Sequence, residues 1–165
     1  MAKTDSFFIR ASTNFNGTTF AQSSIDLGAY VDALGKSVLR VHNIAVQYGD
    51  PTDIVVIPAG QHRATFQLTT QSQTDMVPAT DKSLISSGAM FYTDSANGNA
   101  FVSDSLDIAP QHWTKGYLVG VEQIYLGVDA SEATSGGMTA VNIVLECTVE
   151  TLSQSAAMAL ALSQQ

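Results

Sequence analysis

Residues 141–151 read VNIVLECTVET. Val141, Ile143, Leu145, Cys147 and Val149 fall on one side of an extended chain. Asn142, Glu146, Thr148 and Glu150 fall on the other, with Val144 the single apolar exception. Successive side chains of a strand point to opposite faces, so this period of two marks a strand with one face in a core. Just beyond it, Thr151-Leu152-Ser153-Gln154 fits a capping box. Ala156–Leu162 (AAMALAL) then has high helix propensity. Residues 152–165 are therefore expected to form a C-terminal helical tail.

Towards the N-terminus, Ala130–Gly137 (ASEATSGG) has the composition of a loop, and Tyr117–Val128 (YLVGVEQIYLGV) reads as one strand. Leu84–Tyr92 (LISSGAMFY) fits a strand or a short helix, with strand preferred. Phe101–Ser103 is a short extended run, and Asn97-Gly98 marks a turn before it. Arg63–Gln71 alternates: Ala64, Phe66, Leu68 and Thr70 share one face, and Thr65, Gln67, Thr69 and Gln71 the other. That is the pattern of a half-buried strand, followed by the polar loop Ser72–Thr80.

Val38–Tyr48 (VLRVHNIAVQY) is a long strand closed by the turn Gly49-Asp50-Pro51, and Ile54–Ile57 is a short buried run. Gly28–Gly35 is expected to form one helical turn or a corner. Ser6–Thr13 and Thr18–Leu27 read as strands, with a hairpin-turn signal at Asn16-Gly17 between them. Eight or nine strands, one terminal helix and no βαβ alternation specify an all-β fold. A β-sandwich or single jelly roll of about eight strands, spanning 1–165 as one domain, is the expected architecture. Phe66, Leu68, Val119, Val121, Ile143, Leu145 and Cys147 are its predicted core.

The 165 residues carry seven Lys and Arg against fifteen Asp and Glu, for a net charge of −8. Such a surface repels phosphate backbones. The cations Lys3, Arg10, Lys36, Arg40, Arg63, Lys82 and Lys115 are scattered singly, with no basic arm at either end. Direct nucleic-acid binding is not expected. Charged residues make up 13% of the chain, where an average soluble domain has about a quarter. A charge-poor surface loses few ions from water when it is buried against a neighbour, so the composition favours assembly. The Thr- and Gln-rich face of Arg63–Gln71 and the loop after it are candidates for that contact. A neutral-surfaced monomer, such as a secreted β module, is the alternative. Met1–Phe8 has no signal-peptide pattern, and synthesis in the cytosol is expected.

The search for chemistry assigns no catalytic, cofactor-binding or metal-binding residue. His42, His62 and His112 lack partners at zinc-site spacing. There is no nucleophile elbow, P-loop or dinucleotide fingerprint. Cys147 is the only cysteine, so no intramolecular disulfide forms. The pairs Asp50 with Asp53 and Asp104 with Asp107 read as solvated loop residues before calcium ligands. Trp113, Tyr117 and Tyr125 are the aromatics nearest a binding surface. An exposed Trp113 would suit a sugar platform, but burial at a sandwich end is the commoner fate. Asn16-Gly17-Thr18 is formally a glycosylation sequon and reads as a turn. The uncharged terminal helix is expected to dock on its own sandwich or on a neighbour.

The stretch Phe101–Asp129 (FVSDSLDIAPQHWTKGYLVGVEQIYLGVD), with the strand Thr139–Thr151 after it, resembles the later part of single jelly-roll capsid proteins of icosahedral viruses. Ser23–Asp50 (SSIDLGAYVDALGKSVLRVHNIAVQYGD) is similar in style to their earlier strands. The resemblance implies a virion shell subunit, not an enzyme, that contacts copies of itself and other capsid proteins. Many capsid proteins that touch their genome carry a basic arm, and this sequence departs from them. The resemblance therefore implies an inner face that meets an internal membrane, a second protein or a separately neutralised core. A carbohydrate-binding β-sandwich is the runner-up.

Overall fold

The computed structural model describes residues 3–32, 34, 36–53, 59–94, 100–132 and 137–165. Its strands are β1 (Phe7–Asn14), β2 (Ala21–Asp26), β3 (Ser37–Tyr48), β4 (Gly60–Thr69), β5 (Leu84–Asp94), β6 (Ala100–Ile108), β7 (Tyr117–Val119), β8 (Gln123–Ala130) and β9 (Ala140–Thr151). One helix, α1 (Gln154–Ser163), follows. The strands form two antiparallel sheets, ordered β1-β9-β3-β7 and β2-β8-β4-β5-β6. The chain crosses from sheet to sheet at each connection, save β4–β5 and β5–β6, which join neighbouring strands of the second sheet. This is jelly-roll winding, with β6 added as an extra strand at the edge of the second sheet. The expected runs 54–57 and 97–98 lie outside the described residues.

The alternation of β9 fixes the core. Val141, Ile143, Leu145 and Cys147 are buried against Phe66, Leu68, Ile124 and Leu126 from the opposing sheet. All seven predicted core residues are buried. The polar side of β9 is less simple: Glu150, expected to meet water, is wholly enclosed.

Four expectations about elements are corrected. First, β4 is buried on both faces from Ala64 to Thr69, not half-buried. The loop after it folds back over the polar face: Gln67 donates through Nε2 to the Asp75 carbonyl, 3.1 Å, and accepts from the Val77 N–H, 2.7 Å. Phe20 lies over neighbouring Gly127, where an added Cβ would fall 2.7 Å from the ring. The Thr- and Gln-rich face is thus occupied by its own chain and is not open to a neighbour. Second, residues 117–128 do not form one strand. β7 and β8 belong to different sheets, and the switch comes at Gly120. A Cβ there would lie 2.9 Å from Cγ of Leu160, so the close approach of α1 requires glycine. The side chain of Gln164 bonds both sides of the switch, accepting from the Gly120 N–H, 2.8 Å, and donating to the Leu118 carbonyl, 2.7 Å.

Third, the short run at 101–103 is part of the nine-residue strand β6. Asp104 and Asp107 therefore stand on an edge strand and not in a loop. Fourth, the Asn16-Gly17 turn forms, with Gly17 at φ +59° and the Thr19 N–H bonded to the Asn16 carbonyl, but it joins no hairpin. β1 pairs with β9 and β2 with β8, so this turn carries the chain between sheets. The helix cap also shifts by two residues. Ser153, not Thr151, is the N-cap, and its hydroxyl accepts from the Ala156 N–H. The helix docks on its own sandwich through Ala157, Ala161 and Gln164.

Candidate functional site

The two sheets differ on their outer faces. The second is sealed over β4 and β8 by the loop 71–80, whose Gln73 is tied to Gln22 and Ser83. On the first, register sets three rows side by side: Phe8, Glu146 and Asn43; Arg10, Val144 and Ala45; Ser12, Asn142 and Gln47. All nine are exposed or half-exposed. Only Arg10 and Glu146 among them are charged. Arg10 and Phe8 sit together, the guanidinium carbon 5.8 Å from the ring centre. Amides brace the surface, with Asn142 Nδ2 3.0 Å from Asp50 Oδ1 and Asn43 Nδ2 on Glu146 Oε2. A depression of about 400 Å³ lies between β1 and β9, lined by Arg10, Ser12, Asn142 and Val144. This pleated face is broad, neutral and uncovered by any described residue.

One end of the same sheet holds a buried ion pair. Arg40 on β3 reaches Glu150 on β9, Nε to Oε1 2.5 Å and Nη2 to Oε2 2.9 Å. Its Nη1 donates to the Lys115 carbonyl, and Lys3 adds Nζ 3.2 Å from Oε1. The hydrogen bonds from Arg40 hold the Glu150 carboxyl down at about 2, helped by Lys3 and opposed by burial. Two of the seven cations are therefore engaged inside the subunit.

The histidines stand on separate elements. His42 occupies the β-bulge of β3 with Nε2 2.9 Å from Thr148 Oγ1. His62 on β4 stacks on Tyr92, ring centres 5.6 Å apart. His112 is exposed in a single 3-10 turn, Pro110–His112. No three His, Cys, Asp or Glu among the described residues gather where they could hold a metal ion. Burial, with the Glu146 charge adding, pushes the Cys147 thiol up to about 12.

Asp53 fastens its loop: Oδ2 accepts from the Asp50 N–H and from the N–H and hydroxyl of Thr139. Those donors lower its pKa. Asp107 accepts from Ser105, and Asp104 lines a cleft of about 290 Å³ between the sheets beside Tyr48. Burial first, then the charges of Asp104 and Asp107, raise the Tyr48 phenol.

Trp113 is 51% exposed, which overturns the expected burial. The slots at this end of the sandwich are taken by Ala109 and Pro110. Gln111 pins the segment by bonding both the N–H and the carbonyl of Ile44, each at 3.0 Å, and Trp113 is turned outward. Tyr117 is half-buried, and Tyr125 bonds Gln123 across 3.1 Å. Sequence reading missed the open first-sheet face, because its residues become neighbours only once β1, β9 and β3 are in register. No described helix is long and apolar enough to cross a membrane.

No family model matches the chain, and no curated protein matches it. Among solved structures, one of Desmodium yellow mottle tymovirus is similar, at 10% identity and a TM-score of 0.37, covering 89% of this chain and 87% of that one. Merkel cell polyomavirus VP1 in complex with GD1a oligosaccharide is similar at 8% identity and a TM-score of 0.37, covering 88% and 94%. The same protein as an unassembled pentamer gives 8%, 0.37, 89% and 95%. The jelly-roll fold of this chain rests on its own strand order.

Proposed function

We propose that this chain is a structural subunit of a viral capsid, assembling through contacts with copies of itself or with related shell proteins. The observation that carries the reading is the contrast between the two sheets of the jelly roll: one outer face sealed by its own loop, the other open, broad and nearly uncharged. Burying such a face removes few ions from water, so apolar and amide contacts there are not offset by desolvation. The low charge of the chain supports the same reading. Scattered cations, two of them held by Glu150, suit an inner side that meets a membrane, a second protein or a neutralised core. The reading places the protein in the virion after synthesis in the host cytoplasm, with no catalytic role.

Analytical ultracentrifugation and electron microscopy of the untagged chain test this directly. Oligomers or particles that persist at moderate salt are expected, since few ion pairs would be screened. A strict monomer at high micromolar concentration rejects the reading.

A second reading has one specific observation behind it. Trp113 presents an aromatic face beside a pinned turn, the form of a carbohydrate platform or attachment surface. Glycan-array binding that disappears in Trp113→Ala would favour it.

A further inference from the structure

The jelly roll leaves two edge strands whose exposed side chains match each other. Among the described residues, β1 ends the first sheet, paired only with β9, and β6 ends the second, paired only with β5. Phe8 on β1 is 55% exposed, and Val102 on β6 is 51% exposed. Two residues after each, on the same face of its strand, comes an exposed charge: Arg10 after Phe8, Asp104 after Val102. The signs are opposite.

Among the described residues, the backbone is available at both edges. The Ser23 hydroxyl donates to the Ser12 carbonyl and so covers the far end of the β1 edge. No described residue bonds the outer edge of β1 from Phe7 to Ala11, or that of β6 from Val102 to Asp107. Natural sheets guard such edges with charges, and an unguarded row of N–H and C=O groups recruits another strand. Here the guards are selective. Two β6 edges brought together about their middles would set Asp104 against Asp104, and two β1 edges would set Arg10 against Arg10. Like charges directly opposite on paired strands repel. The unlike edges attract.

We propose that the β1 edge of one copy binds the β6 edge of a second copy, with Arg10 opposite Asp104. Two alignments achieve this pairing. Laid parallel, Phe8 meets Val102. Laid antiparallel, Phe8 meets Leu106, which is half-buried. Either way an apolar pair flanks the ion pair, and the first sheet of one copy continues into the second sheet of the next. Different surfaces meet in this contact, so it is head-to-tail, the type that yields closed rings or open chains rather than two-fold dimers. The inference rests on the self-assembly reading and names its interface.

The test is charge exchange read by sedimentation. Arg10→Asp and Asp104→Arg should each lower the self-association constant by about tenfold or more, since each sets like charges in the contact. The double variant, with the signs swapped, should restore association. So should a mixture of the two single variants, because each then offers the other an opposite charge. Thermal melts of each variant control for folding, and the restored double variant shows that neither change acts through the fold. A wild-type chain that assembles while both single variants associate normally overturns the edge contact and leaves the assembly reading standing. A wild-type chain that stays monomeric overturns both.

Discussion

Arg40 grips Glu150 with two nitrogens in a place where the carboxylate has no exposure to water. Removing one partner of a buried pair leaves the other charge uncompensated. Glu150→Ala is expected to cost about 3–5 kcal/mol of unfolding free energy. Arg40→Met with Glu150→Leu should recover much of that loss, since an apolar replacement removes both desolvation penalties. Urea titration of wild type and the two variants measures this. A loss in Glu150→Ala below about 1 kcal/mol would show that the pair behaves as a surface ion pair.

The same carboxylate sets an acid limit. Its pKa in the folded chain is about 2, below its ordinary 4.5. A depressed carboxylate contributes stability above its unfolded value and loses it as pH falls through the folded one. The contribution is therefore complete above pH 4.5 and fades towards pH 2, and by linkage it amounts to at most about 3 kcal/mol. Urea midpoints measured across that window should fall more steeply for wild type than for Glu150→Gln. Parallel curves would assign the acid sensitivity to other groups.

Cys147 should be chemically silent. Its thiol is buried and protonated at neutral pH, and the thiolate is the reactive form. A disulfide reagent should label it only after denaturant unfolds the chain, at the rate of unfolding. Rapid labelling of the native protein at neutral pH would contradict the packing of β9.

Gln67→Ala tests the seal over the second sheet. The substitution removes an acceptor from the Val77 N–H and a donor from the Asp75 carbonyl. A cost of about 1–3 kcal/mol is expected from groups left without partners. Hydrogen exchange at Val77 should accelerate well before exchange in β9. Unchanged protection at Val77 would mean that the loop is held by other contacts.

The strands of this fold were legible where a residue's fate depends on its own periodicity. β9 and the inward side of β4 follow the period of two and carry five of the seven predicted core residues, while Val119 and Val121 flank the sheet switch at Gly120. What the sequence concealed depends on distant partners. A glutamine such as Gln67 bonds water or a returning loop equally well, so its burial leaves no local mark. The break between β7 and β8 interrupts an apolar run at one glycine, and the groups that meet it there, Leu160 and Gln164, lie far along the chain. Trp113 stands in solvent because Ala109 and Pro110 fill the buried positions of its segment, a choice that composition does not mark. The open face and the matched edges required strand order, since Phe8 and Val102 look like ordinary strand residues until both are found at sheet margins.

Because the loop 71–80 closes one sheet and nothing described closes the other, the molecule has a top and a bottom. A layer tiled from it would gain contact energy with the open sides turned one way and forgo it when a tile is inverted. That asymmetry would give the layer a built-in orientation, distinguishing its two surfaces before any other component is added.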